Sequence, residues 1–201
     1  MKKNLFVAIG VTLLLIAIMI GITKPLSGNK VKDVTMGSWD EKTYHNDYFG
    51  LEFRLPGNWH HDTKELTAIA DSMDSEDEKI SYLTGAVGNN RVFMVFAYEM
   101  SPLSTILYRE GDTRSLRKAL NDPRIVGLVQ GEMDYEVEAD YVNKNGVKFV
   151  PTKITMSNGN QQASGKIWFV EKKGYIVMFI FIGVNKSEEL MTPIVDSISF
   201  E

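Results

Sequence analysis

The sequence predicts an α/β domain of the α+β type, an antiparallel β-sheet flanked by helices on both faces, preceded by one N-terminal transmembrane helix. Three observations lead to this prediction. An uninterrupted apolar run stands near the N-terminus, alternating apolar and polar segments are joined by turn-forming pairs, and segments with helical spacing lie between them. A content of 44% hydrophobic and 24% charged residues is that of a globular protein, not a disordered one.

Residues 1–22 predict a membrane anchor or uncleaved signal. Lys2 and Lys3 precede the run Leu5–Ile22, in which Thr12 is the only residue whose side chain forms hydrogen bonds. As a helix this run spans roughly 27 Å, close to the thickness of a bilayer's hydrocarbon core. A helix packed against the core of a domain would show one polar face, and this run shows none. No small-residue cleavage site follows, which favours a retained anchor over the alternative of a cleaved signal peptide.

Residues 23–42 predict a linker, because they mix Gly, Ser, Lys and Asp without apolar periodicity. Residues 43–201 then form the domain. Short basic-plus-apolar segments at the N-terminus mostly export the chain that follows them. We therefore expect a single-pass protein of the cell membrane, with its domain on the extracytoplasmic side.

The domain opens with a strand over Leu51–Leu55, where apolar and charged residues alternate. Gly50 before this strand predicts a tight reversal or a bulge, and Pro56 ends the strand because proline cannot donate a backbone hydrogen bond. Trp59 follows as a large side chain for the nearby core.

The middle of the chain predicts strands between helices. The strands are Ile80–Val87 and Arg91–Met100, the second apolar on both faces and therefore central. A helix capped by Asp62 places apolar residues on one face, and two more helices begin at Ser101 and Asp112. The apolar residues of the first helix are Leu66, Ile69, Ala70 and Met73.

The C-terminal part predicts a meander. Its first strand, Asp134–Val142, alternates acidic residues with Tyr135, Val137, Ala139 and Tyr141, which are expected to point inward. Its last long strand, Tyr175–Val184, is apolar on both faces and predicts the centre of the sheet. A helix near Ser187–Val195 leads to a short final strand. The predicted hairpin turns are Asn145-Gly146, Asn158-Gly159 and Lys173-Gly174.

Two segments carry a resemblance to a known family. The stretch Gly50–Trp59, with its Leu-Pro-x-x-Trp ending, resembles the start of PsbP-like domains in bacterial surface proteins. The stretch Ile194–Phe200 looks like that family's closing helix and strand. The resemblance implies a PsbP-like α/β/α sandwich, used mostly for docking onto larger assemblies. The family's plant members are extrinsic subunits of photosystem II, and no residue here matches a site that would carry that role.

Several classes of chemistry find no support in the sequence. The absence of cysteine excludes thiol nucleophiles and Cys-ligated metals. No Gly-x-Ser-x-Gly turn and no phosphate-binding glycine loop occurs, so no cofactor is predicted. A formal net charge of −4 argues against binding to nucleic acid, which needs a basic face.

A metal site is not predicted, although two segments hold candidate ligands. The adjacent His60 and His61 point apart on an extended chain and rarely share one ion. An acidic segment lacks the ligand spacing and central glycine of a calcium loop, so a solvated helix end is the favoured interpretation and cation binding the alternative. Its carboxylates are Asp71, Asp74, Glu76, Asp77 and Glu78.

The function that the sequence favours is a membrane-tethered, extracytoplasmic docking or binding module without catalysis. Its partners would be the membrane, through the N-terminal helix, and an unknown protein or envelope component. The candidate binding face is the acidic side of the first meander strand, formed by Asp134, Glu136, Glu138 and Asp140. The alternatives are a cell-envelope hydrolase with a spatially assembled site and a cation-binding surface protein.

Overall fold

The structure, a computed structural model, describes residues 37–61, 66, 80–88, 91–100, 133–138, 141–158, 161–183 and 188–201. Within these residues it contains short and long β-strands and the helix α1 (Glu188–Ser197). The strands are β1 (Ser38–Asp40), β2 (Thr43–Asn46), β3 (Leu51–Arg54), β4 (Ile80–Gly88), β5 (Arg91–Glu99), β6 (Met133–Val137), β7 (Val142–Lys144), β8 (Val147–Asn158), β9 (Gln161–Lys172), β10 (Tyr175–Gly183) and β11 (Ser199–Phe200).

The strands form two antiparallel sheets. The small sheet has the order β1-β2-β3-β11, and the large, seven-stranded sheet has the order β4-β5-β10-β9-β8-β6, with β7 paired to the other end of β8. Strands β5 and β10, which the sequence predicts as the centre of the sheet, are neighbours in its interior and consist almost wholly of buried residues. This part of the prediction is confirmed.

The small sheet shows why the opening segment is readable from sequence. Along β3, Leu51 and Phe53 are buried while Glu52 and Arg54 are exposed, as the alternation predicts. The chain reverses before β3 at Gly50, whose φ of +64° favours glycine. A Cβ atom at Gly50 would also lie 2.6 Å from the carbonyl oxygen of Glu201. The predicted reversal at Gly50 is therefore confirmed.

The core lies between the two sheets and is rich in aromatic rings. The ring of Phe53 meets that of Phe93 edge-on, with centroids 5.2 Å apart, and Phe93 stacks on Phe181 at 4.6 Å. Trp59 is only 2% exposed and packs against the backbone of Gly88. Helix α1 closes the same core with Met191, Ile194 and Val195, and Ile198 joins them directly after the helix.

The predicted fold class is wrong. The described residues form a mostly β protein, and a second β-sheet with α1 covers the inner face of the large sheet, instead of helices on both faces. The predicted linker is also wrong for residues 38–40, because Ser38–Asp40 pairs with β2 as an outer strand. Trp39 in this strand lies 5.6 Å from the Phe53 ring, so the small sheet is held by aromatic packing despite its very short strands.

Several predicted elements lie wholly or partly outside the described residues. The helices beginning at Ser101 and Asp112 do so, and of the helix capped by Asp62 only Leu66 is described, as a helical and buried residue. The predicted anchor at Leu5–Ile22 also lies outside them. Among the residues that the structure does describe, no helix has the length and apolar character needed to cross a membrane.

Two of the three predicted C-terminal hairpin turns are confirmed. Asn145 and Gly146 have φ values of 52° and 80°, and Lys173 and Gly174 have 52° and 81°, as two-residue hairpin turns require. The third prediction, a turn at Asn158-Gly159, is wrong in its first residue, because Asn158 pairs with Gln161 and belongs to β8. The predicted closing helix is confirmed as α1, with Pro193 inside it.

Candidate functional site

One edge of the large sheet, strand β4, is covered by the small sheet and its loops. The N–H and C=O groups of Val87 both pair with His60, each at 2.8 Å. The Tyr44 hydroxyl donates to the carbonyl of Leu83 at 3.3 Å, and burial raises the pKa of this hydroxyl above its ordinary value. Covering of this kind is how proteins protect an edge strand from unwanted pairing.

A link between side chains adds to the cover on β4. The indole N–H of Trp39 donates to the Thr84 hydroxyl at 2.9 Å, so the outer strand of the small sheet is fastened to the edge of the large one. The ring of His61 stacks on Trp39 with centroids 4.2 Å apart. His60 therefore contacts this edge directly, whereas His61 contacts Trp39, which covers it.

The opposite edge, strand β6, has no such cover among the described residues. Its inner side pairs with β8 in the register Met133↔Met156 to Val137↔Thr152, and the N–H of Glu138 continues the ladder by donating to Pro151 at 3.0 Å. Because antiparallel strands alternate in the direction of their backbone groups, the groups of Met133, Tyr135 and Val137 point away from β8. No described strand pairs with these outward groups.

Charged side chains of both signs form a row across this end of the sheet. Glu136 lies opposite Lys153 on β8, and Lys153 lies opposite Lys166 on β9. Glu136, Glu138 and Lys153 are exposed residues. The acidic side of β6 thus meets cations of its own sheet, and we name the set Glu136, Glu138, Lys153 and Lys166 the charged row.

The most enclosed contact of the charged row is the ion pair between Lys166 and Glu138. Its N–O distance is 2.6 Å, and the two side chains keep 17% and 30% of their exposure. The Lys166 ammonium also lies 5.5 Å from the centroid of Trp168, within the range of a cation–π contact. This pair ties the end of β6 to β9 across the intervening strand.

Strand β6 ends sooner than the sequence predicts, and Pro151 explains why. The carbonyl of Pro151 faces β6, so the N–H that proline lacks would have faced β6 as well. Pairing resumes only at Val142↔Phe149. Between this pair and the pair of Glu138 with Pro151, the chain that follows β6 has three residues, whereas β8 has only Val150. The predicted continuous strand Asp134–Val142 is therefore wrong.

This shift in register also changes the exposure of Tyr141. The predicted alternation places it inward, whereas its side chain is 48% exposed, with the Lys148 ammonium 5.3 Å from its ring. Tyr141 thus marks the exposed end of the β6 edge, just beyond the break in pairing.

The remaining predicted site residues are placed as follows. The backbone of Asp134 belongs to β6, while Asp140 lies outside the described residues. His45 pairs with Glu52 at 3.1 Å on the outer face of the small sheet. No group of three or more potential metal ligands occurs in the part of the chain that the structure describes. The candidate cation ligands Asp71, Asp74, Glu76, Asp77 and Glu78 lie outside that part.

The cations of the charged row could not be predicted from the pattern of any one strand. Lys153 and Lys166 each lie within an alternating or mixed strand, where a lone lysine is ordinary. Their meeting with Glu136 and Glu138 depends on the register of three strands. A charged residue at the same distance from the turn in two consecutive hairpin strands is a pattern that could have predicted their meeting.

Comparison with known proteins gives no family: no family pattern matches the chain, and no curated protein is similar to it in sequence. Among solved structures it is similar to the cyanobacterial PsbP protein CyanoP from Synechocystis, with 14% identity, a TM-score of 0.48, and coverage of 89% of this chain and 100% of that one. It is also similar to a Bacteroides thetaiotaomicron protein, with 8% identity and a TM-score of 0.47, covering 83% of this chain and 49% of that one.

A third similar structure is LpqN, described as involved in cell envelope biogenesis of Mycobacterium tuberculosis. The identity is 9% and the TM-score 0.41, with coverage of 74% of this chain and 83% of that one. None of these TM-scores exceeds 0.48, and the likeness to PsbP is one of fold alone. What this chain binds is therefore inferred from its own residues.

Proposed function

We propose that this chain is a membrane-tethered, extracytoplasmic module that binds a partner protein through the β6 edge and the charged row, without catalysis. The supporting observation is the contrast between the two edges of the large sheet. The β4 edge is covered by His60, Tyr44 and Trp39, whereas the β6 edge has no described partner on its outer side.

The chemistry of the β6 edge suits association. It combines the exposed carboxylate of Glu136 with backbone donors and acceptors that no described strand pairs with. An edge of this kind invites pairing with another chain unless charge or cover prevents it. Carboxylates on the strand reject an acidic partner and favour a basic one, so they give the surface selectivity.

A crosslinking experiment tests the binding site. We expect a photoreactive phenylalanine analogue at Tyr141 to give a discrete adduct with one partner protein in cells. The exposed aromatic ring of Tyr141 at the end of the edge makes it a conservative position for the probe. Adding Glu136→Lys should lower the yield of this adduct several-fold, because a positive charge then repels the basic partner.

The matched control for charge is Glu52→Lys, which makes the same change on an exposed strand position of the small sheet. It should leave the Tyr141 adduct unchanged. The absence of any adduct, or equal loss in both variants, would contradict binding at the β6 edge.

The location of the domain is a separate prediction, motivated by the apolar run Leu5–Ile22. Protease added to intact cells or protoplasts should remove the domain, while a cytoplasmic protein in the same sample stays intact. Western blotting with an antibody against the C-terminal part measures the loss. Full protection of the domain until the cells are lysed would disprove an extracytoplasmic location.

A further inference from the structure

We infer that the partner binds by strand addition: an extended basic segment of the partner pairs with β6 in antiparallel orientation and becomes the next strand of the large sheet. This inference rests on the proposed function and specifies its mode. The segment carries Lys or Arg at alternate positions, which lie beside the acidic residues of β6.

The backbone of β6 is arranged for this pairing. The pair formed by Glu138 and Pro151 shows that the backbone groups of even-numbered residues face β8. The outward groups therefore belong to Met133, Tyr135 and Val137, which offer three N–H donors and three C=O acceptors to an added strand. The register of β6 on β8 is regular over this stretch, so the outward groups have the spacing of a strand.

The charges on β6 identify the occupant. In any antiparallel register that engages the outward groups, a second copy of this chain would place even-numbered residues opposite even-numbered residues. In a register centred on β6, Glu136 would then face an acidic residue of the other copy, since residues 134, 136 and 138 are all Asp or Glu. Like charges directly opposite destabilise a sheet, so self-pairing is disfavoured. A basic segment would instead place positive charges opposite these carboxylates, which stabilises the pairing.

Backbone hydrogen bonding and charge pairing would involve different residues of the partner. Residues opposite Met133, Tyr135 and Val137 would form hydrogen bonds with β6, and their own backbone groups face it. Residues opposite Glu136 and its acidic neighbours would carry the positive charges, and their backbone groups face away. Backbone pairing and charge can therefore be changed separately in one peptide.

The test uses the full chain in detergent micelles and a nine-residue peptide in which lysine alternates with threonine or valine. One variant peptide is N-methylated at the threonine and valine residues, and a matched variant is N-methylated at the internal lysines. The first loses the donors that face β6, and the second loses only donors that face away. Strand addition predicts that the first binds at least about tenfold more weakly than the unmodified peptide, since several hydrogen bonds are lost. The second should bind like the unmodified peptide.

Hydrogen exchange supplies a direct readout on the protein. With the unmodified peptide bound, the amides of Met133, Tyr135 and Val137 should exchange more slowly, while the amide of the exposed residue Gly57 stays unchanged. Replacing Val137 with proline removes an outward donor and spares the pairing with β8, so it should abolish this protection without loss of the fold. If this variant fails to fold, the methylated peptides still decide the matter.

Equal affinity of the two methylated peptides, or no affinity for the unmodified one, would overturn strand addition. The Tyr141 adduct separates this failure from a failure of the proposed function. An adduct that depends on Glu136, together with equal affinities, leaves binding at the β6 edge in place and removes only the mode.

Discussion

Replacing Trp59 with alanine is expected to lower the free energy of unfolding by about 3–5 kcal/mol, as large-to-small changes of buried aromatic residues do. Trp59 is 2% exposed and belongs to the core between the two sheets. Its ring lies against Gly88, where an added Cβ would come within 2.8 Å of the indole. The tight fit means that the space left by the ring is poorly refilled, which places the effect in the upper part of this range.

The position of Trp59 in the chain adds to its effect. The next residue, His60, forms the bridge to Val87 that covers the β4 edge, and the Trp59 carbonyl accepts a hydrogen bond from Lys42. Loss of the ring thus loosens both the core and the segment that caps the sheet. Denaturant titration of the full chain, followed by far-ultraviolet circular dichroism, measures the change.

Tyr141→Ala is the matched control, because it removes an aromatic ring that is 48% exposed. Its free energy of unfolding should stay within about 0.5 kcal/mol of the unchanged protein. If both variants unfolded at the same denaturant concentration, Trp59 would not belong to the core, and a role for it in binding would have to be reconsidered.

The parts of the fold that the sequence predicts well are those set by local rules. Alternation along Leu51–Arg54 places side chains on two faces because the strand repeat is two residues. The turns at Asn145-Gly146 and Lys173-Gly174 require positive φ at both central positions, and glycine at the second position adopts it readily. Such patterns require no knowledge of which strand lies beside which.

The separation into two sheets could not be read in the same way. Strands β1 and β2 have three and four residues, too few to show a reliable repeat. Trp39 contacts Tyr44 on the adjacent strand at 5.3 Å, and the non-local contact is its hydrogen bond to Thr84 in the other sheet. The mixed composition of residues 38–40 therefore predicts a linker, because the contacts of Trp39 depend on the tertiary structure.

The candidate site was half predicted for a related reason. Glu136 and Glu138 stand out because an acidic residue recurs at every second position of their segment. Their countercharges, Lys153 and Lys166, come from strands whose register no single-strand pattern specifies. Pro151 likewise breaks the ladder of a neighbouring strand, so its effect appears only when β6 and β8 are paired.

Gly165 shows how strongly pairing constrains a residue that local patterns leave unexplained. It lies inside β9, between Ile154 on β8 and Ile182 on β10, and has a normal strand conformation with no positive φ. A Cβ at this position would meet the carbonyl oxygen of Phe181 and lie 3.1 Å from the side chain of Ile154. The backbone conformation of Gly165 would suit other residues. The glycine is required because its neighbours leave no space for a side chain.

Gly165→Ala is expected to lower the free energy of unfolding by about 3 kcal/mol, because a methyl group forced against backbone must separate β9 from β10. Gly57→Ala is the matched control: this glycine is exposed, and an added Cβ there meets no atom within 4 Å. That change should be neutral or stabilise the protein by up to about 1 kcal/mol, through the lower entropy of the unfolded chain. Denaturant midpoints of the two variants measure the difference. Equal midpoints would mean that β9 and β10 are farther apart at Gly165 than the structure places them.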